Sequence, residues 1–139
     1  MKDYRKVLIA VNGNKDVLVQ GLRLVSGEKC QVTVVKVIPH YEGDLSMVGV
    51  KNVDALLNSD SEKEFSEIME IANNEGANVK VRLEEGEICE KIVETAEDER
   101  ADLIIMGAKK QNIIEKLFVS DDIDKVTSQA PCPILLVKS

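Results

Sequence analysis

Tryptophan is absent from this chain, and phenylalanine and tyrosine number two each among 139 residues. Stacking platforms for single-stranded nucleic acid need clustered aromatics, and Tyr4, Tyr41, Phe65 and Phe118 do not cluster. Basic residues are outnumbered, 18 against 25 acidic, and the net charge of −7 argues against a phosphate backbone as partner. The three cysteines, Cys30, Cys89 and Cys132, are an odd count without CxxC spacing. That excludes a disulfide framework or a zinc site from the simplest reading, and points to reduced thiols in the cytoplasm. The single histidine, His40, has no partner for a catalytic triad, and no metal site is expected. No apolar run is long enough to span a bilayer, and the opening residues lack the stretch of a signal peptide.

What remains is aliphatic, and it comes in five short runs. They are Lys6–Val11, Val32–Ile38, Val79–Leu83, Asp102–Met106 and Ile134–Val137. Near-continuous apolar runs of this length suit strands covered on both faces. The run at Val79 alternates apolar with charged residues and belongs near an edge. Between the runs lie helical patterns. Val17, Leu18, Gly21, Leu22 and Val25 share one face of a first helix, and Phe65, Ile68, Met69 and Ala72 one face of a second. Ser61 and Glu64 form a capping-box pattern near the start of that second helix, and Gly76 is its stop. Ile88, Ile92, Val93 and Ala96 mark a third, opened by Gly86-Glu87. Ile123, Val126 and Ala130 mark a fourth, entered through Ser120-Asp121 and ended before Pro131.

Strict β-α alternation predicts one domain over residues 1–139. Its fold class is α/β, a doubly wound open parallel sheet with helices on both faces. Two connections are long. Pro39 to Asn58 carries Met47, Val48, Val50, Val53, Leu56 and Leu57, with a short helix expected near Val53–Leu57. It reads either as packing over the sheet or as a flap beside a ligand or partner. Gly107 to Val119 is the other. Ligands of open parallel sheets bind at the carboxyl ends of the strands, where the crossover direction reverses. That directs attention to Asn12-Gly13-Asn14 and to the loop beginning at Gly107, whose glycine suits a tight turn. No GxSxG, Walker A or GxGxxG sequence is present, and no catalytic residue is assigned.

Four segments carry a family resemblance. Val7–Gly13, Glu85-Gly86-Glu87-Ile88, Ala101–Gly107 and Ala130–Val137 resemble, in order, segments of the universal stress protein family. The resemblance implies strand order 3-2-1-4-5, an adenine nucleotide alpha hydrolase-like fold and a homodimer paired through the last strand, Ile134–Val137. Family members that bind ATP carry Gly-x-x-Gly, nine residues, then Gly-Ser or Gly-Thr after strand four. Here Gly107 holds the first position, Lys110 the second, and Ser120-Asp121 the closing pair. Asn12 stands where an acid is usual. Small residues let backbone N–H groups close on phosphates at a helix N-terminus, whereas Asp121, Asp122 and Asp124 repel them.

The candidate nucleotide contacts are therefore Asn12, Gly13, Val37, Met106, Gly107, Lys110, Ser120 and Asp121. The favoured reading is a homodimeric stress-response or signalling module without tight ATP binding and with no required cofactor. The alternative is an ATP- or AMP-binding protein, a slow ATPase included. A third is a scaffold whose Met47–Leu57 flap docks a protein partner. Neither nucleic acid nor membrane is an expected partner.

Overall fold

The computed structural model describes residues 5–12, 15–26, 29–38, 50–108 and 120–138, the side chains of 50–61 and 120–121 excepted. The five apolar runs form β1 (Lys6–Val11), β2 (Gln31–Ile38), β3 (Val79–Glu85), β4 (Leu103–Ala108) and β5 (Ile134–Lys138). The helical patterns form α1 (Asp16–Leu24), α2 (Val50–Asn74), α3 (Ile88–Asp98) and α4 (Ser120–Gln129). All strand pairs are parallel, in the order β3-β2-β1-β4-β5. This is the order the resemblance implies, and the alternating β3 lies at an edge.

Side-chain alternation along the central strands splits the core in two. Val7, Ile9 and Val11 point with Leu18 and Leu22 of α1 and Ile68 and Ala72 of α2 into one layer. Leu8 and Ala10 point with Ile92 and Ala96 of α3 and Val126 of α4 into the other. Leu8, Ile9, Ile104 and Ile105 are fully buried, each contributing roughly 1.5–3 kcal/mol relative to exposure. Gly21 lets α1 approach closely, since a Cβ there would stand 3.0 Å from Ile9 Cδ1. Among the described residues, no helix is long and apolar enough to cross a membrane.

The second helix departs from expectation. It runs 25 residues, from Val50 to Asn74, so the residues near Val53–Leu57 are its early turns rather than a separate short helix. Ser61 lies inside it and not at its start. The physical reason is local: no glycine or proline interrupts positions 50–74, and Ala55, Leu56 and Leu57 are good helix formers. Of the long connection, 39–49, which includes His40, lies outside the described residues. Phe65, expected on the buried face, is 46% exposed. The contact stripe is instead centred on Ile68 and Ala72, with Ile71 packed beside them.

Helix ends follow from the sequence more closely. Gly76 has φ 67, with Ala77 N–H donating to Ala72 O at 2.8 Å and Gly76 N–H to Asn73 O at 3.1 Å. Those two bonds make a Schellman cap. Arg100, φ 53, closes α3 in the same way without glycine. There Ala101 N–H bonds Ala96 O at 2.9 Å and Arg100 N–H bonds Glu97 O at 3.2 Å.

Candidate functional site

Asn12 follows the last residue of β1, Val37 is the penultimate residue of β2, and Met106 and Gly107 lie near the end of β4. These strands are neighbours in the sheet, so four candidate residues meet at the carboxyl edge where the winding direction reverses. Val37 and Met106 are buried and face the layer of α3 and α4. Asn12 is half-buried. Ser120 begins α4, and Asp121 follows in its first turn. Gly13 and Lys110 lie outside the described residues, as does most of the long connection after β4.

Gly107 requires a correction. It is a buried residue of β4, paired with Val137 of β5, and not the first residue of a turn. Pairing with β5 carries the ladder two residues beyond Met106, through Gly107 and Ala108. The connection after β4 therefore begins later than the sequence pattern indicated.

The start of α4 is tied to the start of α3. Glu87 caps α3 in extended backbone, its carboxylate accepting from Glu90 N–H at 2.8 Å. Burial opposes its ionisation, but the amide N–H groups of Glu90 and Cys89 and the charge of Lys125 hold its carboxyl below the usual range. The Cys89 thiol donates to Asp122 Oδ1 at 3.4 Å and lies 3.8 Å from Asp122 O. Burial first, and then the carboxylates of Asp122 and Glu87, push that thiol up to about 12. Both effects favour the neutral, donating thiol over the thiolate. All three cysteines carry free thiols.

Sequence reasoning missed two features here. One is the Cys89–Asp122 contact, which joins residues 33 positions apart and leaves no local signature. The other is Lys15, just before α1, whose ammonium lies 2.7 Å from Glu67 Oε2 and 3.3 Å from Glu64 Oε2 of α2. These contacts join residues 49 and 52 positions apart and leave no local signature either.

Asp102, in the segment Ala101–Gly107, serves the opposite end of the sheet. Its carboxylate accepts the Arg5 and Lys6 N–H groups at 3.1 Å each, and its own N–H donates to Lys6 O at 2.7 Å. It sets the register between the starts of β1 and β4. Two clefts also lie at that amino end, of about 150 Å³ beside Lys6, Gln31 and Glu99 and about 230 Å³ beside Cys30 and Glu75. Among the described residues, no group of histidine, cysteine and carboxylate side chains could hold a metal ion.

The fold has known counterparts. A putative universal stress protein of Staphylococcus epidermidis is 30% identical over 152 residues, covering all of this chain and 87% of that one. A universal stress protein solved in complex with cAMP superposes with a TM-score of 0.70 at 16% identity, covering 97% of each chain. One from Archaeoglobus fulgidus, solved in complex with dAMP, gives 0.64 at 20% identity, covering 99% of this chain and 100% of that one. The model of the universal stress protein family matches residues 3–138, and the chain belongs to that family.

Proposed function

We propose that this universal stress protein acts as a stress-response binding module that does not hold ATP tightly. The observation carrying the reading is the first turn of α4. A helix N-terminus that is to cradle phosphates offers free N–H groups and a positive field. Here that turn carries Asp121, Asp122 and Asp124, and Asp122 is engaged by Cys89 rather than turned to a ligand. Each carboxylate at such a helix end already gains roughly 0.3–1 kcal/mol from the helix field that a phosphate would otherwise use. Calorimetric titration with ATP and Mg²⁺ tests this. A dissociation constant above about 100 μM, some −5.5 kcal/mol, is expected, and one in the low micromolar range overturns the reading.

A second reading is favoured by one observation. The solved relatives named above hold cAMP and dAMP, ligands with a single phosphate. Asn12, half-buried at the carboxyl edge beside the buried Val37 and Met106, offers an amide for a base or ribose, which an AMP-class ligand would use without the triphosphate cradle. AMP in the same titration, binding more tightly than ATP, supports this second reading.

The homodimer and the flap belong to the proposal too. Among the described residues β5 pairs with β4 alone and has no strand on its other edge, and Leu136 on it is 44% exposed. An open apolar edge is a template for a second strand. A protein partner at Met47–Leu57 would meet the early turns of α2, in which Val50–Leu57 fall.

A further inference from the structure

Two helix starts meet at the layer that backs the candidate site. Cys89 lies in the first turn of α3 and Asp122 in the first turn of α4. The Cys89 thiol joins them, donating to Asp122 Oδ1 at 3.4 Å. That thiol is buried in the same cluster as Val37 and Met106. Glu87, the cap of α3, brings a second carboxylate to the thiol, and the charge of Lys125 favours its ionised form. Each of the two helix starts is thus supplied with an anion by the chain itself.

The acids of α4 are not equivalent. Asp124 is exposed, and water and salt screen its charge. Asp122 is half-buried, with one carboxylate oxygen on a buried donor. A carboxylate fixed in that way keeps its charge in the helix field and is screened less. Its repulsion of a ligand grows with the ligand's own charge. A triphosphate therefore meets a larger penalty there than a monophosphate.

We propose that Asp122 decides phosphate number at this site, its fixed charge selecting against ligands that carry more than one phosphate. This deepens the reading without tight ATP binding, and rests on it in placing a ligand's phosphates at the start of α4. The test is calorimetric titration of the full chain with ATP and with AMP, each with Mg²⁺, in the unaltered protein, Asp122→Asn and Asp124→Asn. Asparagine keeps an acceptor for the Cys89 thiol and removes the charge. Asp122→Asn is expected to bind ATP at least about fivefold more tightly than the unaltered chain, and to change AMP affinity no more than about twofold. Asp124→Asn makes the same change of charge two residues on, and is expected to change ATP affinity less than about twofold. Equal gains for ATP in the two variants would mean that net charge alone sets the affinity, and overturn the proposal. No gain in Asp122→Asn, or an equal gain for AMP and ATP, overturns it too. Should circular dichroism show Asp122→Asn unfolded, Asp122→Ser, also neutral and suited to a helix start, takes its place with the same expectations. ATP binding in the low micromolar range by the unaltered chain overturns the proposed function. Weak ATP binding by the unaltered chain and Asp122→Asn alike leaves that reading intact and overturns the role of Asp122 alone.

Discussion

Gly86 has φ 144, a backbone state that side-chain-bearing residues rarely adopt. Its N–H donates to Ile38 O at 3.0 Å, closing the end of β3 against the end of β2 just before α3 begins. A Cβ there would also lie 2.8 Å from Lys91 Cε, although a flexible lysine stem can swing aside. The backbone strain is therefore what decides, and Gly86→Ala is expected to cost about 1–3 kcal/mol. A lowered urea midpoint at unchanged slope is the measurement. The turn role of Gly86 was legible because Glu85-Gly86-Glu87 stands between a strand pattern and a helix pattern. Gly107 stands just as plainly after an apolar run, yet it belongs to the strand. What separates the two is hydrogen-bond pairing with a neighbouring strand, β5, which no local pattern encodes.

Elements show the same division between local and distant causes. β3 lies at the edge and carries Lys80, Arg82 and Glu84, as its alternation indicated. The partners of those charges come from elsewhere. Glu99, just after α3, receives Lys80 Nζ at 2.8 Å and Arg82 Nη1 at 3.5 Å, and its Oε1 accepts from Thr33 Oγ1 at 3.2 Å. Asp98 and Glu84 take the rest of the Arg82 guanidinium, at 3.3 and 3.1 Å. The hydrogen bond from Lys80, above all, holds the Glu99 carboxyl below its usual 4.5 against the opposing effect of burial, with Thr33 and Arg82 assisting. A carboxyl lowered on folding contributes stability that is present above its unfolded pKa. That contribution is lost as pH falls through the folded value. Glu99→Gln is therefore expected to lower stability at pH 7, by no more than about 1 kcal/mol because the cluster is solvent-screened at its rim. Below pH 4.5 the difference should shrink, and melting curves from pH 7 down to 3 measure it. For α2, sequence pattern located the helix but not its start. A capping signature acts only where the chain before it leaves the helix, and the residues before Ser61 continue it.

At the scale of the whole molecule, the open edge of β5 carries the prediction. Leu136→Lys places a charge on an exposed position of that strand, where charges oppose edge-to-edge pairing. The unaltered chain is expected to sediment as a dimer and Leu136→Lys as a monomer with unchanged circular dichroism. A monomer from the unaltered chain at high concentration removes β5 as the dimer surface. Fold class was legible in the alternation of strand and helix patterns, and the strand order 3-2-1-4-5 in the family resemblance. The runs at Lys6, Val32 and Asp102 are buried on both faces, those at Val79 and Ile134 lie at the edges, and alternation with helices leaves few ways to wind them. By itself the sequence thus determined the sheet, its two covering layers and the meeting of Asn12, Val37, Met106 and Gly107 at one edge. Tertiary structure alone decided what touches across that edge: the pairing of Gly107 with Val137, the thiol of Cys89 on Asp122, and the grip of Glu64 and Glu67 on Lys15. The physical reason is separation along the chain. Apolar periodicity acts between neighbours a turn or a pleat apart, whereas these contacts join residues 30 to 52 positions apart. They form only once the winding of the sheet has placed their elements side by side.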